Sequence, residues 1–427
     1  MLAKEGSLSE TLTSLSGFAR NRASACDAIR MDWSSAMARG LLKCVAMFKH
    51  AHRWPLLTLL LCSTACGSTS GGSGHDSGGL DGGIPASDGG ASCACLVVGA
   101  AEDGSSAIAS SFLAEGGPVR TDILELDGLP LQRAGLILDR SGGGLRVLAP
   151  FENRTLHEIA LDAGSEPVDV GRLDDLVYVV FANKAEVEVW DVGAVPTLQA
   201  TIDLSQFDAD GNPNATSVAV LNTREGKRAV VSLAVTDEVT GEARGPALMV
   251  AIDIDTNEII RSFETTGTRP SSLLEITGNA SEDLVIATRD GSNGEQGCIE
   301  HLVLGETVPR LGSCFATNAA LGGHARSVVS AGPGGGHWAV VETGPTESKL
   351  VLIDREQTIS APVNAADALV GDVAACGLTK FVVYTDTVTG TVRVYDRVLD
   401  ITLHGEDGIS IGLPPVPSGA FSCRAAL

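Results

Sequence analysis

The sequence predicts an all-β fold made of repeated four-stranded units, and two observations support this prediction. From residue 95 onward, short apolar runs alternate with clusters of turn-forming residues, which is typical of antiparallel strands. The runs also recur in a fixed order: a small polar residue before apolar positions, a dense apolar strand, an alternating strand that often ends in Asp, and a fourth strand. Residues 167–202 show one complete copy of this order.

The small polar residue at the start of each unit sets the phase of the repeat. It recurs at intervals of 45 to 55 residues, at Asp122, Asp169, Ser217, Ser272, Ser327, Asp372 and Ser418. A four-stranded unit repeated at this period is typical of a β-propeller. The seven positions predict a seven-bladed β-propeller of antiparallel blades over residues 93–427, with six blades as the alternative.

The two ends of this region predict how the propeller closes. The residues after Ser418 suffice for one strand, whereas residues 95–121 offer three, at 95–98, 107–113 and 118–121. We expect the C-terminal strand to pair with the N-terminal strands and complete their blade, because closure removes two open sheet edges.

Two strand motifs are similar to those of a known family. Residues 177–183 read VYVVFAN and residues 187–191 read VEVWD, and residues 250–253 and 350–354 repeat the second motif. This layout resembles the YVTN-type β-propellers of bacterial surface proteins and lipoproteins. The resemblance covers about residues 95–427 and implies the fold, but it says little about a ligand, because propellers host many functions.

The segment before the repeats has the order of an export signal. Residues 47–65 form a signal peptide in which Lys49 and Arg53 precede a short apolar segment and a run of small residues. Its end resembles a bacterial lipobox, which implies lipidation of Cys66; a plain secretory signal with the same export is the alternative. Residues 66–92 combine this anchor with a linker rich in Gly, Ser and Asp, too polar to order itself.

Residues 1–46 do not fit this order, because a signal should begin the chain. We expect them to be disordered and to lie upstream of the true start at Met47. Gly67, where an Asp would favour retention in the inner membrane, favours the outer membrane by analogy with known sorting. The predicted location is therefore the cell envelope, as an outer-membrane lipoprotein facing the periplasm or the cell surface.

The net charge and the cysteine content limit which partners and which compartment the protein fits. The formal net charge of −23 disfavours nucleic-acid binding, and no run of 18 apolar residues is present. Six cysteines follow the anchor, and an even number in an exported chain predicts disulfides. The expected pairs are Cys298 with Cys314, Cys95 with Cys423, and the remaining Cys93 with Cys376. A metal site at Cys93 and Cys95 is the rival interpretation, and it lacks a second close pair of cysteines.

The candidate ligand-binding residues are those expected at one end of the central channel. They are Asp122, Asp169, Arg269, His324, Arg326 and Asp372. Carboxylates there could hold a cation, and arginines could hold an acidic or sugar ligand. The alternative is structural, because Ser and Asp at turn-to-strand junctions commonly bond backbone N–H groups. No catalytic residue is predicted.

A weaker metal candidate lies between two repeats. Asp208, Asp210 and Asn212 have the spacing of the start of a calcium loop, but Pro213 replaces the required Gly and Ala219 the final Glu. A polar turn is the favoured interpretation. No cofactor is therefore predicted, and calcium at this loop is the alternative that stays open.

The function that these features favour is a lipid-anchored binding or scaffolding module of the bacterial cell envelope. Its expected partners are the membrane, through the anchor, and an unidentified envelope protein, peptide or glycan. The alternative is a propeller enzyme with its site at the central channel, either a metal-dependent lactonase-like hydrolase or a quinoprotein-like dehydrogenase. The first needs carboxylates with Asn or His at the channel, and the second needs many aromatic residues and arginines, whereas the chain has only 17 aromatic residues.

Overall fold

The computed structural model describes residues 92–426, with several short gaps. The gaps are 117–119, 123–129, 142, 150–153, 163, 238, 277–282, 291–295, 307–308, 333–335, 365–366, 377–378 and 406. The predictions for residues 1–46 and 47–65, for Cys66 and for the linker up to residue 91 lie outside the described residues. No helix within the described residues has the length and apolar character needed to cross a bilayer.

Seven antiparallel sheets form the seven blades, as predicted. From its inner to its outer strand, blade 1 contains β28 (Phe421–Ala426), β1 (Ser92–Ala100), β2 (Ala107–Leu113) and β3 (Arg120–Asp122). In the same order, blade 2 contains β4 (Pro130–Arg133), β5 (Leu136–Asp139), β6 (Gly144–Leu148) and β7 (Thr155–Ala160). Blade 3 contains β8 (Pro167–Leu173), β9 (Leu176–Phe181), β10 (Glu186–Asp191) and β11 (Thr197–Asp203).

The remaining four blades follow along the chain, with their strands again ordered from inner to outer. Blade 4 contains β12 (Ala215–Thr223), β13 (Gly226–Leu233), β14 (Leu248–Asp253) and β15 (Glu258–Glu264). Blade 5 contains β16 (Arg269–Pro270) and β17 (Glu275–Ile276), then β18 (Asp283–Arg289), β19 (Cys298–Val303) and β20 (Arg310–Thr317). Blade 6 contains β21 (His324–Ser330), β22 (His337–Gly344) and β23 (Glu347–Ile353). Blade 7 contains β24 (Val370–Ala375), β25 (Phe381–Asp386), β26 (Thr391–Asp396) and β27 (Ile401–Leu403).

Helical structure among the described residues is slight, and blade 6 departs from the four-strand pattern. A 3-10 turn (Ser205–Phe207) follows blade 3, and a single α-helical turn, α1 (Asn318–Leu321), follows blade 5. In blade 6 an irregular segment takes the outer position, where the N–H groups of Ser360 and Val363 donate to carbonyls of β23 at 2.8 and 3.0 Å.

The propeller closes as predicted from its ends. The C-terminal strand β28 pairs antiparallel with β1, with Phe421 opposite Val97 and Cys423 opposite Cys95. Neighbouring inner strands are in contact around the whole circle, and β28 lies between β24 and β4. One blade is therefore built from both ends of the repeat region.

The first phase position is wrong. Asp122 lies on β3, the outermost strand of blade 1, opposite Ala109, so it does not begin an inner strand. The inner strand of blade 2 is β4, which begins eight residues later. Blade 2 is shorter than the repeat period because its strands are short and its first hairpin is tight: Ala134 and Gly135 both have positive φ, at 49° and 76°. This is the conformation of a two-residue hairpin turn.

The sequence pattern of each strand follows from its radial position. Second strands such as β9 are buried on both faces, because each blade packs between two others, and this explains their unbroken apolar runs. Outer strands such as β11 and β15 are mostly exposed. The Asp that ends many third strands acts in the turn: Asp396 Oδ1 accepts from the N–H groups of Val398 and Leu399 at 3.0 and 3.1 Å.

Three disulfides join the cysteine pairs expected from the sequence. Cys95–Cys423 links the closing strand β28 to β1, and Cys93–Cys376 links β1 to the segment that follows β24. The first bond therefore fixes the closure within blade 1, and the second joins blade 1 to blade 7. Cys298–Cys314 lies within blade 5 and spans only 16 residues.

We expect the double variant Cys95→Ser/Cys423→Ser to weaken closure of the propeller. With Cys93–Cys376 intact, the bond closes a loop of about 50 residues, so its loss should cost about 4 kcal/mol of unfolding free energy. Denaturant titration measures this loss, and carboxypeptidase digestion measures release of β28. The control Cys298→Ser/Cys314→Ser should lose about 3 kcal/mol and keep its C-terminus protected. Equal protection of the C-terminus in both variants would contradict this role.

Candidate functional site

The inner strands surround a central channel that encloses a cavity of about 350 Å³. Charged and polar residues from six of the seven blades line it, among them Gln132, Arg133, Arg172, Glu275, Arg326, Ser327, Asp372 and Ser422. Gln132 is buried, and its side-chain amide has no hydrogen-bond partner in the described part of the chain. The channel is therefore a candidate ligand-binding site.

Asp169 joins three blades at the wall of this channel. Its buried carboxylate accepts hydrogen bonds from Arg133 Nη1 of blade 2 at 2.6 Å and from Ser217 Oγ of blade 4 at 2.8 Å. The N–H groups of Val218 and Val170 also donate to it, each at 2.8 Å. A buried carboxylate with these partners is fully satisfied, so Asp169 holds blades 2, 3 and 4 together.

The same kind of contact continues around the channel until it returns to blade 2. The further links are Leu274 N–H to Ser217 Oγ (2.8 Å, blades 5 and 4), Ser271 Oγ–H to Ala325 O (2.7 Å, blades 5 and 6), Ser327 Oγ–H to Asp372 Oδ1 (2.7 Å, blades 6 and 7), Ala420 N–H to Asp372 Oδ2 (2.8 Å, blades 1 and 7) and Gln132 N–H to Gly419 O (2.8 Å, blades 2 and 1). We call this set, with the contacts of Asp169, the interblade ring. Every pair of neighbouring blades is joined by at least one of its hydrogen bonds.

Arg133 is the cation of the interblade ring. Besides Asp169, it contacts Glu275 Oε1 at 3.5 Å and donates a short hydrogen bond to the carbonyl of Leu274. Burial lowers the pKa of Arg133, but Asp169, Glu275 and Asp372 more than compensate and raise that pKa above its usual value. One guanidinium thus binds groups from blades 3 and 5.

Glu275 is a channel carboxyl whose ionisation state changes near neutral pH. Burial raises the pKa of this carboxyl to about 7, with Asp372 and Asp169 adding to the effect and Arg133 opposing it. Burial also raises the pKa of Asp372, against hydrogen bonds from Ser327, Ala420 and Val373. Near neutral pH, Glu275 can therefore exchange a proton or act as an uncharged hydrogen-bond donor.

The structure gathers only part of the predicted ligand-binding set. Asp372 and Arg326 line the channel, and Asp169 is buried behind its wall, bound to the lining residue Arg133, whereas Asp122 lies on the outer strand of blade 1. Arg269, on β16, donates a short hydrogen bond to the carbonyl of Gly241 in the loop between β13 and β14.

His324 belongs to a separate cleft, where its Nε2 lies 3.4 Å from Glu342 Oε2 and 3.4 Å from Arg289 Nη1. Burial lowers the pKa of this imidazole, and the two neighbouring arginines, Arg289 and Arg326, also lower it. The His324 side chain therefore does not line the central channel.

Sequence reasoning missed Arg133, Glu275 and Gln132. Arg133 and Gln132 lie on β4. The repeat pattern did not reveal this strand, because it placed the start of the inner strand of blade 2 at Asp122. Glu275 lies three residues after the phase position Ser272. Because the phase positions were expected at the channel, its closeness to Ser272 was the signal that could have identified Glu275 as a channel residue.

The loop considered for calcium already faces a cationic side chain. Arg244 Nη1 lies 2.8 Å from Asp208 Oδ1 and 2.9 Å from Asp210 Oδ2, and Nη2 lies 2.8 Å from Asp237 Oδ2. Asn212 donates from Nδ2 to the carbonyl of Ala182 at 3.2 Å. The guanidinium thus pairs with two of the carboxylates that were considered as calcium ligands.

Among the described residues, one group of side chains has the proximity expected of three or more metal ligands. It consists of Cys93, Cys95, Cys376 and Cys423, whose sulfurs all lie within 4.8 Å of one another. These cysteines form two of the disulfides described above, which take up their sulfurs.

Comparisons with known proteins support the fold. A putative 6-phosphogluconolactonase from Bacteroides fragilis has a TM-score of 0.54 at 11% identity, over 80% of this chain and 99% of that one. The β-propeller domain of Cps50 (Swd1) from Myceliophteria thermophila has a TM-score of 0.52 at 12% identity, over 72% and 98%. A functionally unknown protein from Desulfotomaculum acetoxidans has a TM-score of 0.51 at 12% identity, over 78% and 99%.

These similarities establish the β-propeller fold and nothing finer, because the identities are low and the named functions differ. No protein-family model and no curated protein sequence matches the chain.

We expect Asp169→Ala to destabilise the protein by about 3–5 kcal/mol, because it leaves the largely buried Arg133 guanidinium without its closest carboxylate. The measurement is the free energy of unfolding by urea titration. The control Asp175→Ala removes an exposed carboxylate from the neighbouring turn and should change stability by less than about 0.5 kcal/mol. Equal effects would show that the interblade ring contributes little.

We expect stability to fall as pH rises from 4.5 towards 7, through the raised pKa of Glu275. In that interval the folded protein retains a proton that the unfolded chain has released, so deprotonation penalises the folded state. Glu275→Gln should flatten this part of the pH profile, measured as urea midpoints between about pH 4.5 and 8. The control is Glu264→Gln, an exposed site on β15. An unchanged slope in Glu275→Gln would refute the assignment.

Proposed function

We propose that the protein is an exported, lipid-anchored β-propeller that works as a binding or scaffolding module of the bacterial cell envelope. Its anchor is Cys66, its tether is the linker up to residue 92, and its partner is an envelope protein, peptide or glycan. The proposal includes membership of the YVTN-type surface propellers and location at the outer membrane.

Export is supported by two independent features. The order of charge, apolar segment and small residues in 47–65 is that of a secretory signal. Six cysteines in the propeller also form three disulfides, which persist in oxidising compartments and are rare in the cytosol.

The observation that most supports a binding role is the interblade ring. Asp169 and Asp372, the two channel carboxylates that the sequence proposed as ligands, are engaged by side-chain and backbone donors from neighbouring blades. These groups serve to keep seven blades in a fixed arrangement. A rigid body of this kind presents loops at both faces without requiring chemistry at its centre.

The two faces differ in the loops that they present. We call the face with the turns between second and third strands the upper face, and the opposite one the lower face. The upper face has exposed apolar residues at Val239 and Val388, and the lower face at Val195 and Leu399. The upper face also has the longest described connection within a blade, residues 234–247 between β13 and β14. We assign partner binding to the upper face.

Two experiments on the full chain in a bacterial host test this proposal. Incorporation of an alkyne-labelled fatty acid should be lost in Cys66→Ala, which should leave the membrane fraction, and retained in the control Cys62→Ala. Photo-crosslinking residues placed at Val239 and Val388 should capture one common partner. The same residues at Val195 and Leu399 should not capture it. Unchanged labelling in Cys66→Ala refutes the anchor, and equal capture from both faces refutes the assignment of the face.

A second candidate, a lactonase-like hydrolase, is favoured by one observation only. Glu275 lies at the channel cavity with a pKa raised to about 7, which suits a general acid or base. Lactone hydrolysis that requires divalent cations and is lost in Glu275→Gln would support this candidate over the binding module. For a quinoprotein-like dehydrogenase the support is weaker, since Phe421 is the only aromatic residue among the described residues that line the channel.

A further inference from the structure

A second cleft opens on the upper face, away from the channel cavity. It has a volume of about 740 Å³ and lies where blades 1, 2 and 3 meet. Three segments line it: 102–104 in the turn between β1 and β2, residues 140, 141 and 143 in the turn between β5 and β6, and 164–167, which ends on the first residue of β8. Nothing in the interblade ring uses these residues.

Two polar side chains in this cleft lack a partner among the described residues. The Arg140 Nε atom is buried, and its guanidinium makes no hydrogen bond or ion pair with the described residues. Ser165 is 3% exposed, and its Oγ likewise has no partner there. The nearest charge that raises the pKa of Arg140 is Asp169, which is already bound to Arg133 and lies beyond ion-pair distance. Burial lowers that pKa overall.

An unpaired guanidinium in a partly buried position costs stability, because it loses hydration without gaining a partner. The same blade shows the contrast, since Arg133 is bound on several sides. Groups that destabilise the free protein in this way are commonly those that a ligand later satisfies. Arg140 and Ser165 line the same cleft, and both have hydrogen-bond donors without a partner among the described residues.

The charges around the cleft restrict the ligand. An arginine fork binds carboxylate or phosphate oxygens through paired hydrogen bonds. Glu102, Asp103 and Glu166 also line the cleft and are exposed. These carboxylates repel a doubly charged phosphate and attract an ammonium group.

We propose that the cleft binds the carboxylate of a zwitterionic ligand, a free amino acid or a short peptide, with its carboxylate on Arg140 and Ser165 and its ammonium group facing the acidic rim. This site is separate from the channel and goes beyond the proposed envelope role. Its test does not depend on the anchor or on the partner captured by crosslinking.

Isothermal titration of the folded protein provides the test, with L-alanine, L-alanyl-L-alanine, N-acetyl-L-alanyl-L-alanine and inorganic phosphate as probes. We expect saturable binding of alanine or dialanine at millimolar concentrations or below, and weaker binding of the acetylated peptide and of phosphate. The stronger of alanine and dialanine identifies the source of the zwitterion. Absence of saturable binding of both, or tighter binding of phosphate, would overturn the proposal.

Variants separate a ligand role from a structural one. Arg140→Met should weaken binding of the preferred zwitterion by about tenfold or more, and Ser165→Ala by a smaller factor. The control Arg355→Met removes an exposed arginine elsewhere and should leave affinity unchanged. Because Arg140 has no partner among the described residues, its replacement should also keep or raise the thermal unfolding midpoint. A lowered midpoint, or unchanged affinity in Arg140→Met, would count against the site.

Discussion

The interblade ring is the constraint on which the rest of the structure depends. Adjacent blades of a propeller share apolar faces, and the hydrophobic attraction between such faces has no direction. Hydrogen bonds do have direction, so those made by Asp169, Ser217 and Asp372 fix the rotation of each blade against the next. The ring also involves Ala420, beside the closing strand β28. Closure of the circle and alignment of the blades are therefore one cooperative arrangement.

This arrangement explains why the repeat keeps a small polar residue at the start of its inner strand. A backbone N–H group that faces the channel needs an acceptor, and a short Ser or Asp side chain from the neighbouring blade supplies one. The channel Ser and Asp residues, which in a sequence resemble a ligand-binding ring, therefore make structural contacts between blades. In the described channel wall, the pKa of Glu275 is raised to about 7, and the side-chain amide of Gln132 has no hydrogen-bond partner among the described residues. These two groups remain available for proton exchange or hydrogen bonding with a ligand.

The sequence predicted the features that depend on local pattern and on simple counting. The all-β class, seven blades, the pairing of β28 with β1 and the Cys95–Cys423 contact all followed from strand periodicity and chain ends. It failed where spacing varies between blades: Asp122 matched the period, but the short strands of blade 2 moved its inner strand to β4. Contacts such as Arg244 with Asp208 join residues 36 positions apart through loops, and no periodicity reports them.

Two arginines of blade 2 differ in their partners. The contacts of Arg133 stabilise the fold, whereas Arg140 is the residue that we assign to ligand binding. Arg133 lies at the end of β4, where neighbouring blades converge and provide carboxylates and carbonyls for all of its charge. Arg140 lies in the next turn outward, where the same blades have diverged enough to leave a cleft. The divergence follows from the radial geometry of a propeller, because the distance between blades grows away from the axis. Arg133 therefore finds its partners within the protein, whereas Arg140 has none among the described residues and is the arginine to which we assign a ligand.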